Sequence, residues 1–328
     1  MAKRRRLTGV LPQTMRAAVI DRFGGPEVFS VRSMPLPKHG SRDVLIALHT
    51  VGVASWDADM REGWSPTGRK PRFPMILGTD GSGIVAAVGS LAHRFKRGDE
   101  VIAYDFNRAG FYAQYVSVRA NKTGFLPKTL DLGQAGAMTC TGLTALQGID
   151  DTLRLKRGDT IIVHGATGAV GSLALQFAKL RGARVLATGR AEKDRRFLRK
   201  LGADAAAIGR PRELHSAIRG FAPDGVDAIL ALVGGAGLEA CLDGLRSGGR
   251  LAYPNGIEPA PKRRRGIKTL SYDGIVGVRE LERLRRAVEQ AKLVVPIAAK
   301  YPLAQVARAH RRLAAGSVRG KLVLRVHR

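Results

Sequence analysis

The residues with the clearest chemical potential stand in one run, TIIVHGATGAVG, residues 160–171. Apolar side chains fill its first half, and Gly165, Gly168 and Gly171 punctuate the second before SLALQFAKLRG, a helix-forming stretch. A strand that ends in a glycine turn and opens a helix presents free backbone N–H groups at the positive end of the helix dipole. Glycine also lets the backbone approach an anion with no Cβ in the way. Such a turn suits the pyrophosphate of a dinucleotide. The next apolar run ends in ATGR, residues 187–190. A carboxylate at this place accepts the ribose hydroxyls of NAD. Here Gly189 stands instead, with Arg190 next and Lys193 shortly after. A missing acid and added cations suit a 2′-phosphate, so NADPH is predicted over NADH; otherwise the two cations are solvated charges on a helix face.

Those residues need elements to hold them. From residue 136 onward the pattern is strand, glycine turn, helix, repeated: 160–164 into 169–180, 183–188 into 191–201, and 226–233 into 238–245, with 250–253 as a further strand. That alternation implies a right-handed, doubly wound parallel sheet with helices on both faces. Between residues 15 and 133 the pattern is different, with short apolar runs at 16–20, 29–33, 43–53, 83–88, 100–104 and 113–118 set between Gly and Pro turns. This spacing predicts an antiparallel, barrel-like domain. The tail reads strand, helix, strand over 297–302, 303–315 and 321–326, and is expected to return to the first domain.

Composition narrows the function classes. Of 328 residues, 45% are hydrophobic, which excludes disorder as the dominant state. Forty Gly and fifteen Pro have no fixed period, so collagen-like sequence is excluded. No apolar run approaches the roughly 18 residues of a membrane span. Cys140 and Cys241 form no paired motif, which argues against a disulfide scaffold or a cysteine-built zinc site and fits the reducing cytoplasm. The formal charge is +28. A field of this size attracts nucleic acid or acidic metabolites. The basic residues are dispersed, however, with denser clusters only at 3–6 and 262–265, so weak, sequence-indifferent binding of nucleic acid at low salt is expected. An NADPH-binding, nucleic-acid-associated or regulatory protein is the alternative that this charge motivates.

Several segments in order carry a family resemblance: MRAAVIDRFGGPEVF, ILGTDGSGIVAAVG, FKRGDEVIAY, GLTALQGI, the glycine turn, and LGAD. Together they resemble the medium-chain dehydrogenase/reductase superfamily, in its quinone oxidoreductase (zeta-crystallin-like) branch. The resemblance implies a basic extension over residues 1–14, a GroES-like catalytic domain over 15–135 completed by 295–328, and a Rossmann NADPH-binding domain over 136–294. The fold class is then α/β, a Rossmann parallel sheet plus a GroES-like antiparallel β-barrel. It further implies an NADPH-dependent reductase of quinones or enones, as a homodimer, with reduction of enoyl thioesters or alkenals as the alternative chemistry.

Within that resemblance, Thr144 is expected at the cofactor, Thr167, Gly168, Ala169 and Val170 at the pyrophosphate, and Pro254 and Asn255 on the nicotinamide side. The Tyr that often flanks the 2′-phosphate falls on Gly209, with Arg210 beside it. Zinc-dependent relatives carry ligands at the positions of Ala54 and Thr79, which lack the needed donors, so no metal is expected. Trp56, Asp57, Trp64 and Tyr104 are the candidates for the substrate-pocket wall, and no residue is assigned as general acid. His93, His164, His215 and His310 are expected at the surface or in packing.

Overall fold

The computed structural model describes residues 10–68, 70 and 72–327; the basic cluster at 3–6 lies outside them. The first half runs β1 (Thr14–Ile20), β2 (Phe29–Pro35), β3 (Asp43–Val53), α1 (Ser55–Glu62), β4 (Met75–Ile76), β5 (Asp80–Val88), β6 (Glu100–Tyr104), β7 (Tyr115–Arg119) and β8 (Thr123–Phe125), followed by α2 (Leu132–Ala135) and α3 (Thr139–Gln147). The second half runs β9 (Thr160–His164), α4 (Ala169–Leu180), β10 (Arg184–Gly189), α5 (Glu192–Lys200), β11 (Ala205–Ile208), α6 (Pro211–Phe221), β12 (Val226–Ala231), α7 (Ala236–Asp243), β13 (Leu245–Pro254), β14 (Lys268–Tyr272) and α8 (Val278–Ala291). The chain ends with β15 (Ile297–Pro302), α9 (Val306–Ala314) and β16 (Lys321–Arg325).

The second half forms a parallel six-stranded sheet in the order β11-β10-β9-β12-β13-β14. Its central strands are apolar on both faces: Ile161, Ile162, Val163, Ile229 and Leu230 are fully buried, as expected of a sheet covered by helices on both sides. Chain order reverses between β9 and β12, and at such a point the carboxyl ends of neighbouring strands part to leave a crevice.

The first half supplies a seven-stranded sheet, antiparallel but for the β15–β16 pair, and a separate three-stranded sheet, β2-β1-β4. Strand β16 returns from the end of the chain to lie antiparallel on β3, pairing Leu322 with Val53 and Leu324 with Val51. One hydrophobic cluster runs from Ile102, Tyr104 and Val323 into Leu173, Phe177 and Val185, so the two sheet systems pack against each other.

Helix α1 interrupts what its sequence presents as a run of strands. Trp56 and Met60 stand four residues apart, and Gly63 closes the helix at φ +116°, which glycine adopts without strain. Two pocket candidates, Trp56 and Asp57, therefore lie on a helix at the end of β3.

Candidate active site

A cleft of about 2150 Å³ opens where the parallel sheet meets the antiparallel one. At its floor, β9 ends in His164 and the chain turns at Gly165, φ +84°. The N–H of Gly165 donates to Thr188 Oγ1 at 3.0 Å, and the N–H of Ala166 donates to Thr188 O at 3.0 Å, which ties the turn to β10. Helix α4 then starts at Ala169 with Gly168 as its cap. A Cβ on Gly171 would lie 2.5 Å from Gly165 O and 2.7 Å from Ala166 Cα, so glycine there lets helix and strand approach closely. A Cβ on Gly168 would meet nothing nearer than Gly165 O at 3.5 Å, which leaves that face of the turn open to the cleft.

Thr144, Thr167, Gly168, Ala169, Val170, Gly189, Arg190, Lys193, Arg210, Pro254 and Asn255 all line this cleft, as do Trp56, Trp64 and Tyr104. Asp57 does not. It is fully buried behind the wall, where Oδ2 accepts the Ala54 N–H and the Tyr112 hydroxyl, each at 2.8 Å. The short helix α1 turns Trp56 to the cleft and Asp57 inward, so a pocket-wall role for Asp57 is corrected to a structural one. Burial pushes its carboxyl up to about 6, against the pull of those two donors and of the Lys321 charge.

The end of the cleft beside β10 is basic. Arg190, Lys193, Arg312 and Arg319 line it together with Ser317. Arg190 Nη1 donates to Ser317 Oγ at 3.1 Å, and Arg319 Nε donates to Asp194 Oδ1 at 2.6 Å. Arg319 Nη2 is buried with no partner among the described residues. Asp194 is an acid near the ribose position that the pattern at Gly189 did not reveal. Its other oxygen accepts the N–H of Arg190 at 2.8 Å and of Ala191 at 2.9 Å, so it caps α5. Burial alone would raise this carboxyl, but those backbone donors and Arg319 hold it below its ordinary value. Asp194 lines the cleft, but three internal donors already take up most of its accepting capacity.

The opposite end is aromatic. Phe106 stands between Trp56 and Trp64, at ring separations of 5.9 and 5.8 Å, with Tyr104 and Cys140 beside them in the lining. Burial pushes the Cys140 thiol up to about 12, with the charge of Asp80 adding to it, and burial raises Tyr104 as well. Both are therefore neutral at ordinary pH. Thr144 Oγ1 donates to Cys140 O at 3.1 Å, and Asn255 Nδ2 donates to Asp273 Oδ2 at 2.8 Å on the facing wall.

Ala54 offers no donor atom, and Thr79 Oγ1 accepts the Trp56 indole N–H at 3.0 Å. Among the described residues no three His, Cys, Asp or Glu side chains gather at one point. These residues do not fit a zinc ion.

Among the cleft residues that sequence reasoning did not single out are Phe106, Asp194 and Ser317, together with Arg312, Arg319 and Lys321, which arrive from the chain terminus; His164, expected at the surface or in packing, lines the cleft as well. The His164 ring lies under the turn, 3.0 Å from Thr188 Oγ1, and burial lowers it to about 4, so it is neutral. Of the other histidines named above, His310 is buried, His215 is half-buried and His93 is exposed. No helix among the described residues is long and apolar enough to cross a membrane.

Comparison with known proteins places these features. A family model for the alcohol dehydrogenase GroES-like domain matches residues 40–128, and one for zinc-binding dehydrogenase matches residues 201–324. The quinone oxidoreductase of Rattus norvegicus is 31% identical over 94% of this chain and 97% of its own length. The solved quinone oxidoreductase from Coxiella burnetii superposes with a TM-score of 0.86 at 29% identity, covering 96% of this chain and all of the other. A mycobacterial protein solved with NADPH superposes with a TM-score of 0.83 at 27% identity, covering 95% of this chain and all of the other.

Proposed function

Because the chain belongs to the quinone oxidoreductase branch of the medium-chain dehydrogenase/reductase superfamily, an oxidoreductase family acting on small molecules, we propose that it reduces a quinone or an α,β-unsaturated carbonyl with NADPH and without zinc. One observation carries this reading: a single cleft runs from a cluster of four cations, past a glycine turn at a helix start, to an aromatic slot.

The residues fit the dinucleotide. The open face of Gly168 and the free N–H groups at the start of α4 would receive the pyrophosphate. Arg190 and Lys193 would receive a 2′-phosphate, with Arg210 at the edge and Arg312 and Arg319 adding positive charge. Thr144, Pro254 and Asn255 would frame the nicotinamide. When bound, that group supplies a hydride. The protein's part is to orient the acceptor: Trp56, Phe106 and Tyr104 form walls against which a flat conjugated ring can lie, and they keep water from the reacting carbon. Quinones and enones spread the developing charge by conjugation, so they place less demand on a Lewis acid than simple ketones do.

A second reading has its own support. Trp64 is 49% exposed at the mouth of the slot, which leaves an outlet for the tail of an alkenal or enoyl thioester. The division into 15–135 with 295–328, and 136–294, is our assignment, supported by β16 lying on β3. A homodimer is also part of the reading, since β14 ends the parallel sheet with one edge unpaired among the described residues.

Equilibrium titration of NADPH and NADH, followed by nicotinamide fluorescence, tests the cofactor assignment. Charge-assisted hydrogen bonds to the 2′-phosphate should favour NADPH by about 1.5–3 kcal/mol. Arg190→Ala should weaken NADPH and leave NADH nearly unchanged. Equal affinities in the unaltered protein would refute the assignment.

A further inference from the structure

We propose that Lys321 is the catalytic cation of the aromatic slot, where its ammonium donates a hydrogen bond to the acceptor's carbonyl oxygen and holds the charge that develops there. The inference rests on the reductase reading above.

The backbone at this position is tied to the glycine turn. The Gly320 N–H donates to Thr167 O at 2.8 Å, and Gly320 forms a parallel bridge with Gly168. Gly320 sits at φ +82°, and a Cβ there would run into Pro296 O, so only glycine brings the strand this close. The Lys321 N–H then donates to the same Pro296 O at 2.9 Å. Lys321 opens β16, and its side chain lies across Gly52, with Nζ 5.6 Å from the centre of the Trp56 ring.

Its surroundings are those of a charge held ready. Lys321 is only 4% exposed, yet it lines the cleft beside Trp56 and Cys140. Its ammonium makes no hydrogen bond or ion pair with any described residue. Two buried carboxylates stand near enough for its charge to act on them, Asp57 and Asp80. Asp80 accepts the Cys140 N–H at 3.0 Å through Oδ2, while its Oδ1 is buried with no partner and crowds the same face of Gly52 as the Lys321 stem. A buried ammonium with three free donors is costly unless something accepts them. The two anions balance its charge without occupying its donors, which leaves those donors for an oxygen in the slot. Fixed donors in a site shielded from water are most effective where charge appears only during reaction.

In the proposed step the acceptor gains a hydride from the reduced nicotinamide dinucleotide, which leaves oxidised. The acceptor's π electrons move onto its carbonyl oxygen, Lys321 Nζ–H holds that oxyanion, and water supplies the proton that completes the product. Asp80 is a positioning residue, acting through Lys321.

The test compares the unaltered protein with Lys321→Met, Lys321→Gln and Lys321→Arg, each checked for folding by thermal unfolding. The probe is 4-nitrophenol without any nucleotide, its ionisation followed by absorbance. The unaltered protein should bind the phenolate about 10- to 100-fold more tightly than the phenol. Lys321→Met and Lys321→Gln should abolish that preference, and Lys321→Arg should keep part of it. With a working acceptor, kcat should fall about 10²–10³-fold in the neutral variants while the Kd for NADPH changes less than about twofold. A neutral variant that keeps both kcat and the phenolate preference overturns the proposal. So does a weakened NADPH Kd with kcat preserved, which would assign Lys321 to the pyrophosphate. If no acceptor is reduced by the unaltered protein, the reductase reading fails, and the phenolate titration alone then decides whether Lys321 is an oxyanion site.

Discussion

Asp57 offers a quantitative test of the buried polar cluster behind the slot. Its carboxyl is fully buried and is pushed by burial from an ordinary 3.8 up to about 6. The groups around it are Tyr112, which donates to it, His310 and Arg61 beyond Tyr112, and Lys321 and Asp80 from the facing strands. His310 is lowered to about 3 by burial and Arg61, so it stays neutral through the window that matters. The sign follows from proton counting. Between pH 4 and 6 the folded protein keeps a proton on Asp57 that the unfolded chain has released, so stability rises as pH falls through this range. Above pH 6 both states are ionised, and the folded state carries the full cost of a buried charge. Each unit of pKa difference corresponds to 1.36 kcal/mol, so this cost is about 3 kcal/mol. Asp57→Asn keeps an acceptor for the Ala54 N–H and the Tyr112 hydroxyl but removes the titration. Urea unfolding of both proteins, followed by tryptophan fluorescence between pH 4.5 and 7.5, should show the unaltered protein gaining most of that 3 kcal/mol on the variant as pH falls. Parallel curves, or a relative loss on acidification, would refute the reasoning.

Three further outcomes are expected. Asp194→Ala removes the cap of α5 and the anchor of Arg319, and should cost about 2 kcal/mol in chemical denaturation; a change under about 0.5 kcal/mol would deny Asp194 that role. Gly168→Ala meets open space and should leave Tm nearly unchanged while weakening NADPH about tenfold, whereas Gly171→Ala, pressed on Gly165 O and Ala166 Cα, should lower Tm; calorimetry with nucleotide titration would expose the reverse pattern. Elemental analysis should find no stoichiometric zinc, and chelators should leave turnover unchanged, because Ala54 and Thr79 offer no ligand pair; about one zinc per chain, lost together with activity, would contradict this.

Much of the nucleotide half was legible because each part of it is dictated locally. The alternation of apolar runs with glycine turns reads directly as strand and helix, and α4 begins and ends at the residues where its pattern does. The aromatic slot was legible in part. Trp56, Trp64 and Tyr104 stand out by type, but which way Asp57 faces depends on α1, a helix of only eight residues between the expected strands at 43–53 and 83–88 that the sequence pattern did not reveal. Lys321 and Arg319 could not be read from their own neighbourhood. They reach the cleft only because β16 pairs with β3 and its leading glycine abuts the phosphate turn, contacts that lie far apart in the chain. Asp194 carries no distinguishing local signal within the charged stretch EKDRRFLRK, and its capping geometry appears only once Gly189 and α5 are brought together.

The most direct test of the reductase reading is NADPH oxidation, followed by absorbance, across a panel of quinones, cyclic and open-chain enones, alkenals, enoyl thioesters and simple ketones. Turnover of quinones or enones with NADPH, several-fold faster than with NADH and absent with simple ketones, is the predicted result. Turnover confined to simple ketones or alcohols, or no oxidation of NADPH with any acceptor, would contradict it.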